Sequence, residues 1–219
     1  MIRFDRSQQT LAAGVSALAG FIDAIGFVES GGFFVSFMTG NSTRLAVGAA
    51  EWTEAGLIAG AIIALFLAGV VAGSLIAARA ADRRSGVILL SVTMLLAIAG
   101  TLRLLDLVWL SVACLAPAMG MVNAAIEGRG GAVVGVTYMT GTLVHMGQKI
   151  ANALRGNGDA RWLPHLALWT MLVVGAIAGA RAVIWSPPLA YGLAVLFSAG
   201  LAARAPWTRR GAGRRPPPR

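Results

Sequence analysis

Residues 55–78 run for two dozen positions without a charged side chain and stop at Arg79-Ala80-Ala81-Asp82-Arg83-Arg84. About 20 apolar residues in helical form cross the hydrocarbon core of a bilayer, and in lipid only a helix or a closed barrel satisfies its own backbone. Three further stretches, 86–102, 163–185 and 189–203, have the same character, the last entered through Pro187-Pro188. The whole composition follows them, being 57% hydrophobic and 12% charged. A soluble domain carries about 25% charged residues. So few charges could not cover so much apolar surface in water. The expected fold class is therefore all-α, a polytopic transmembrane helix bundle. The 28 glycines suit helices that approach closely.

The net charge is +9, from 18 Lys and Arg against 9 Asp and Glu. On a soluble protein that excess would point to nucleic acid. Here six arginines lie from Arg204 onward, in a tail of Arg, Gly and Pro that is expected to be disordered and cytoplasmic. No nucleic-acid partner is expected. Cys114 is the single cysteine and sits in an apolar run, so neither an internal disulfide nor a cysteine metal site is expected. The basic opening before Leu11, with Ala17-Leu18-Ala19 beyond it, resembles a signal peptide, but the apolar segment continues past that point. A retained first membrane segment is the expectation.

Two regions, 11–50 and 104–154, differ from the four ordinary spans. Each holds two apolar pieces separated by glycines, Gly31-Gly32 in the first and the stretch 128–131 in the second. They also resemble one another. Gly20-Phe21-Ile22-Asp23-Ala24 and then Phe37-Met38-Thr39-Gly40-Asn41 are matched by Gly120-Met121-Val122-Asn123-Ala124 and then Tyr138-Met139-Thr140-Gly141-Thr142. Two ordinary spans follow each copy. The expected organisation is a cytoplasmic N-terminus (1–10), a first membrane repeat (11–102), a second (103–203) and the basic cytoplasmic tail (204–219).

If each of these regions makes one net crossing, as a span plus a re-entrant piece or as a broken helix, the bundle has about six net crossings. Arg3, Arg6, Arg79, Arg83, Arg84, Lys149, Arg155, Arg161 and the tail arginines then all face the cytoplasm, as the positive-inside rule asks. Eight full crossings would put the cluster from Arg79 to Arg84 outside. With six, the two repeats are inverted, an arrangement found in secondary transporters with sites near the midplane at interrupted helices. Both termini are expected in the cytoplasm.

The first copy, from Gly20-Phe21-Ile22-Asp23-Ala24-Ile25-Gly26-Phe27 to Phe34-Val35-Ser36-Phe37-Met38-Thr39-Gly40-Asn41-Ser42-Thr43, resembles the signature of the YoaK family of bacterial inner-membrane proteins. The second half is similar mainly at Tyr138-Met139-Thr140-Gly141. The resemblance implies a multi-pass protein of the bacterial inner membrane, carrying a domain of unknown function. It implies no reaction, substrate or site residue.

Ionisable residues inside a membrane segment are costly and mark function by default. Asp23 is one, and its counterpart Asn123 keeps the polarity without the charge. Thr39, Gly40 and Asn41, with Thr140, Gly141 and Thr142, offer hydroxyls, a carboxamide and a flexible backbone for a small solute or ion. Arg44 and His145 stand four residues after Gly40 and Gly141. Pairs of Asp23 with Arg44, and of Asn123 with His145, are one reading of that symmetry. The competing reading gives all these residues to helix packing, with Thr bonded back along its own helix and Arg44 reaching the headgroups. Glu29, Glu127 and Arg129 flank the glycine links, and Trp52, Trp109, Trp162, Trp185 and Trp207 fit an aromatic belt. No metalloprotease, nucleophile-elbow or phosphate-loop motif is present, and two histidines are too few for a histidine metal site.

The sequence thus points to a membrane protein that is not an enzyme. No cofactor, metal or catalytic residue is expected. A small-solute or ion transporter with a midplane site at the two Met-Thr-Gly motifs ranks first, and a structural or regulatory protein second. The lipid bilayer, a transported solute or ion and a second copy of the chain are the partners to be expected.

Overall fold

In a computed structural model, residues 6–126, 138–156 and 161–205 are described, and helices and short turns make up all of them, with no strand. The helices are α1 (Arg6–Glu29), α2 (Met38–Ala50), α3 (Glu54–Ala80), α4 (Arg84–Leu104), α5 (Val108–Val122), α6 (Met139–Leu154), α7 (Leu163–Trp185) and α8 (Pro187–Arg204). Four contain stretches long and apolar enough to cross a membrane: Gln9–Glu29, Glu54–Ala80, Arg84–Leu104 and Leu163–Trp185. α5 is apolar but shorter. Of the four ordinary spans read from the sequence, three are among these candidates, as α3, α4 and α7; the fourth forms the helix α8, which is not, whereas the first membrane segment, α1, is. The region 11–50 is α1 followed by a loop and the short α2. The second glycine link, with Glu127 and Arg129, and the basic tail lie outside the described residues.

Tight connections set the directions. One 3-10 turn, Ala81–Arg83, joins α3 to α4. Between α4 and α5 the Leu107 amide donates to the Leu102 carbonyl at 2.9 Å, around Asp106 at φ +61°. Ser186 alone separates α7 from α8, whose first position is a proline, the place where a missing N–H costs least. α3, α5 and α8 therefore run opposite to α4 and α7.

α1 lies along α7, α3 along α5, α4 against both α5 and α8, and α2 on α3, while α6 touches α7 alone among the described elements. The two long parallel contacts are made through glycines. Gly20 of α1 sits on the Leu172 carbonyl and Gly175 of α7 on the Ala17 carbonyl; Gly120 of α5 sits on the Phe66 carbonyl and Gly69 of α3 on the Pro117 carbonyl. At each of these places a Cβ would strike backbone, so the helices approach more closely than any larger residue allows. Gly179 on Phe21 and Gly73 on Met121 continue the two seams by one turn. The core between them is aliphatic, including Leu18, Ile22, Ile25, Leu89, Leu96, Leu115 and Met119. Leu57, Met94, Ile184 and Leu196 point outward and are more than two-thirds exposed. That is the surface a bilayer covers.

Candidate functional site

The break between α1 and α2 is the most constructed part of the molecule. α1 stops where Gly31 and Gly32 take φ +69° and +114°, a backbone region that side chains disfavour. The Ser30 hydroxyl then accepts from the Phe33 amide at 2.9 Å and donates to the Phe33 carbonyl at 3.0 Å. The chain folds back along α1 far enough for Val35 to fill the space beside Gly26.

Asp23 receives it there. One carboxylate oxygen, Oδ1, accepts from the amides of Val35 and Ser36, both at 2.8 Å. These amides stand just before the first turn of α2, where helical N–H groups are otherwise orphaned and the helix dipole is positive. From the other side, Asn41 clamps Phe34: its Oδ1 accepts from the Phe34 amide at 3.1 Å and its Nδ2 donates to the Phe34 carbonyl at 2.6 Å. Asn41 is fully buried. Gly40 leaves room for the rings of Phe34 and Phe37; Phe27 meets Phe34 at a tilt, 4.9 Å between centroids, and Phe34 meets Phe37 edge-on at 5.3 Å.

The expected site residues therefore divide. Asp23, Gly40 and Asn41 meet at one loop. Arg44 is close by but lies over the Phe33 ring, 4.9 Å from its centroid and against Gly32, and no ion pair joins it to Asp23. Thr39 is exposed; its carbonyl accepts from the Thr43 hydroxyl, and Ser42 likewise bonds back to Met38. In the second copy Asn123 is buried and donates to the Met119 carbonyl of its own helix at 3.0 Å. Thr142 bonds back to the Tyr138 carbonyl, and Thr140 is exposed. His145 faces His165 across the contact of α6 with α7, the ring centroids 6.0 Å apart.

Two features have little or no signature in the sequence. The backbone of residues 34–36 does most of the bonding to Asp23 and Asn41, and no side-chain pattern announces it. A second polar group lies where α1, α4, α5 and α8 converge. Glu29, nearly buried, pairs with the Arg103 side chain, which also reaches Asp106 at 2.9 Å. The hydroxyls of Tyr191 and Ser111 are buried beside that pair and face each other out of hydrogen-bond geometry, so neither has a partner among the described residues. An aromatic hydroxyl in an apolar helix was the available signal for Tyr191.

Residues 11–204 match a family described as a protein of unknown function, DUF1275. The chain is also similar to the UPF0700 transmembrane protein RA0705 of Rhizobium meliloti (strain 1021), with 36% identity over 194 residues, covering 82% of this chain and 81% of that protein. No solved structure matches. Together with its apolar helices, the likeness makes this chain a multi-pass membrane protein.

Proposed function

The chain belongs to the DUF1275 family, and from that premise we propose that it is a small-solute or ion transporter of the inner membrane, built from two inverted repeats. The observation that carries the reading is the register of the glycine seams. Moving 100 positions from α1 takes Ala17, Gly20 and Phe21 to Pro117, Gly120 and Met121 of α5; moving 106 positions from α3 takes Phe66, Gly69 and Gly73 to Leu172, Gly175 and Gly179 of α7. Each contact thus has a counterpart with the same partners, and the pairings α1 with α7 and α5 with α3 exchange under that shift. Since α1 and α5 run in opposite directions, the relation is an inversion, the architecture that gives a transporter two equivalent faces.

In this reading α1, α3, α4, α5, α7 and α8 make six crossings, with both termini in the cytoplasm, and α2 with its loop is a re-entrant element. The YoaK resemblance rests on the residues of that element. The working part is the Asp23 latch. An ionised carboxylate holds the loop amides; protonation, or displacement by an anionic solute, removes the charge-assisted bonds and frees two donors at the N-terminus of α2. Non-helical backbone at membrane depth is tolerated where it is buried in protein or lines a cavity. Enzymatic chemistry ranks last, because the chain carries no metalloprotease, nucleophile-elbow or phosphate-loop motif.

One observation favours the second reading, a structural or regulatory protein. Oδ1 of Asp23 and both polar atoms of Asn41 are already engaged in holding the loop. Proteoliposomes separate the two. A solute panel is screened with a pH-sensitive dye inside the vesicles, comparing the natural chain with Asp23→Asn. Transport predicts flux for one solute class and a loss of about tenfold or more in the variant, since a hydrogen bond to a charged group is worth about 1.5–3 kcal/mol. Flux that Asp23→Asn leaves unchanged sinks the latch, and no flux for any solute favours the structural reading. Labelling of Thr10→Cys and Glu51→Cys from either side, in a chain carrying Cys114→Ala, tests the crossings: opposite sides are expected, and the same side overturns the inversion.

A further inference from the structure

The contact of α6 with α7 brings three nitrogen side chains together. The His145 and His165 rings lie 6.0 Å apart with their planes at 38°, and neither ring has a hydrogen-bond partner among the described residues. Lys149, one turn after His145 on the same face of α6, acts electrostatically on His165. α6 packs on α7 alone among the described elements and buries none of its residues, so the cleft between the two helices is reachable from the surface.

Two imidazoles at this separation suit either a metal ion or an anion. The neighbours decide between them. No group of three or more His, Cys, Asp or Glu side chains able to hold a metal exists among the described residues, and an incoming dication would meet the Lys149 ammonium. For an anion each of the same three side chains offers a donor, and the Lys149 ammonium adds a positive charge. Depth selects the kind of anion. His165 is the third residue of an apolar span and follows Trp162 closely, and an indole at a span end sits at headgroup level, where lipid phosphates lie.

We propose that His145, Lys149 and His165 form a binding site for a phosphate group at the membrane boundary. The group belongs either to an anionic lipid or to a soluble phosphate compound, and both present the same tetrahedral oxygens to the cleft. The site does not depend on transport and lies apart from the Asp23 loop.

The test uses the full chain in a neutral detergent, with native mass spectrometry as readout. Short-chain phosphatidylglycerol is compared with phosphatidylcholine, and inorganic phosphate and Co²⁺ are titrated separately. The expected result is retention of phosphatidylglycerol over phosphatidylcholine, or binding of inorganic phosphate, reduced about tenfold in His145→Ala/Lys149→Ala and in His165→Ala, since each removes a charge-assisted contact. Gln148→Ala should bind as the natural chain does. His145→Arg, which keeps donors at that position and adds a cation, should bind at least as well as the natural chain and so separates loss of the site from loss of the fold. Displacement of the lipid by inorganic phosphate assigns the site to soluble phosphates, and resistance assigns it to lipid. Equal retention of both lipids with no phosphate binding, unchanged binding in the alanine variants, or two-histidine binding of Co²⁺ in place of phosphate each overturns the proposal.

Discussion

The two interrupted regions share a sequence pattern and differ in what the pattern does. Around α1 and α2, Asp23 and Asn41 tie three consecutive backbone residues, Gly40 admits two aromatic rings, and Gly48 lets α2 lie on the backbone of α3 at Gly56. On the other side the corresponding helix, α6, buries nothing, and a Cβ at Gly141 or Gly147 would meet open space among the described residues. The substitutions between the copies account for the difference. Asn123 in place of Asp23 cannot accept from two amides with a full charge. Thr142 in place of Asn41 has one hydroxyl, which bonds back along its own helix. Lys149 and Trp162, at the places corresponding to Gly48 and Gly56, are too large for the close approach. Among the described residues, α2 is locked to its loop and to α3, whereas α6 is left available at the surface.

The sharpest way to break this contrast is at the glycines. Gly69→Leu and Gly175→Leu each force a side chain onto the carbonyl of a parallel helix. Overpacking of this kind costs about 1–3 kcal/mol or more, and here backbone, not a flexible side-chain end, is in the way. Both variants should unfold at much lower denaturant than the natural chain, and by similar amounts if the seams are equivalent. A large effect of one and none of the other would show that the two seams are not counterparts.

Next in size is the pair Glu29 and Arg103. Removing one member of a buried pair strands the other and costs about 3–5 kcal/mol. That figure needs discounting here, because Arg103 is partly exposed and keeps Asp106. Glu29→Gln should therefore destabilise by less, and in a double-mutant cycle with Arg103→Gln the two changes should be strongly non-additive. Additive losses would mean that the two side chains do not interact.

These places also divide what could be read from the residues from what could not. The ordinary spans were legible because a bilayer imposes a length and a composition, and residues 55–78 and 163–185 satisfy both. Arg103 was legible as a span end but not as the partner of Glu29, since the two are brought together only by α1 and α4 ending at the same level. Asp23 stood out as a charge in an apolar helix. Its partners did not, because Val35 and Ser36 contribute backbone amides, which every residue has. Pairing Asp23 with Arg44 followed charge alone, whereas the helix geometry turns Arg44 to Phe33. The nearness of His145 and His165 was hidden for the same reason: it depends on how α6 leans on α7.

A smaller effect compares the two polar counterparts directly. Asp23→Ala leaves the amides of Val35 and Ser36 without their acceptor, and each buried unsatisfied group costs about 1–3 kcal/mol. Asn123→Ala removes a neutral carboxamide that donates to the Met119 carbonyl, and a neutral hydrogen bond contributes about 0.5–1.5 kcal/mol. Amide hydrogen exchange should accelerate across residues 33–37 in the first variant, and unfolding in denaturant should shift less in the second. Equal losses would mean that Asn123 holds its own loop as Asp23 does.

The smallest effect lies on α6. Gly147 is in the middle of a helix, where glycine costs about 0.5–1 kcal/mol relative to alanine, and nothing described lies within 4 Å of the place its Cβ would take. Gly147→Ala should therefore raise stability slightly, by up to that amount, while Gly48→Ala should lower it, because there the new methyl group would fall on the Gly56 backbone. The two substitutions are chemically identical and sit on corresponding helices, so opposite signs in the same denaturant titration isolate packing from helix propensity. A loss in both would mean that α6 is held against a surface the described contacts do not include, such as a second copy of the chain.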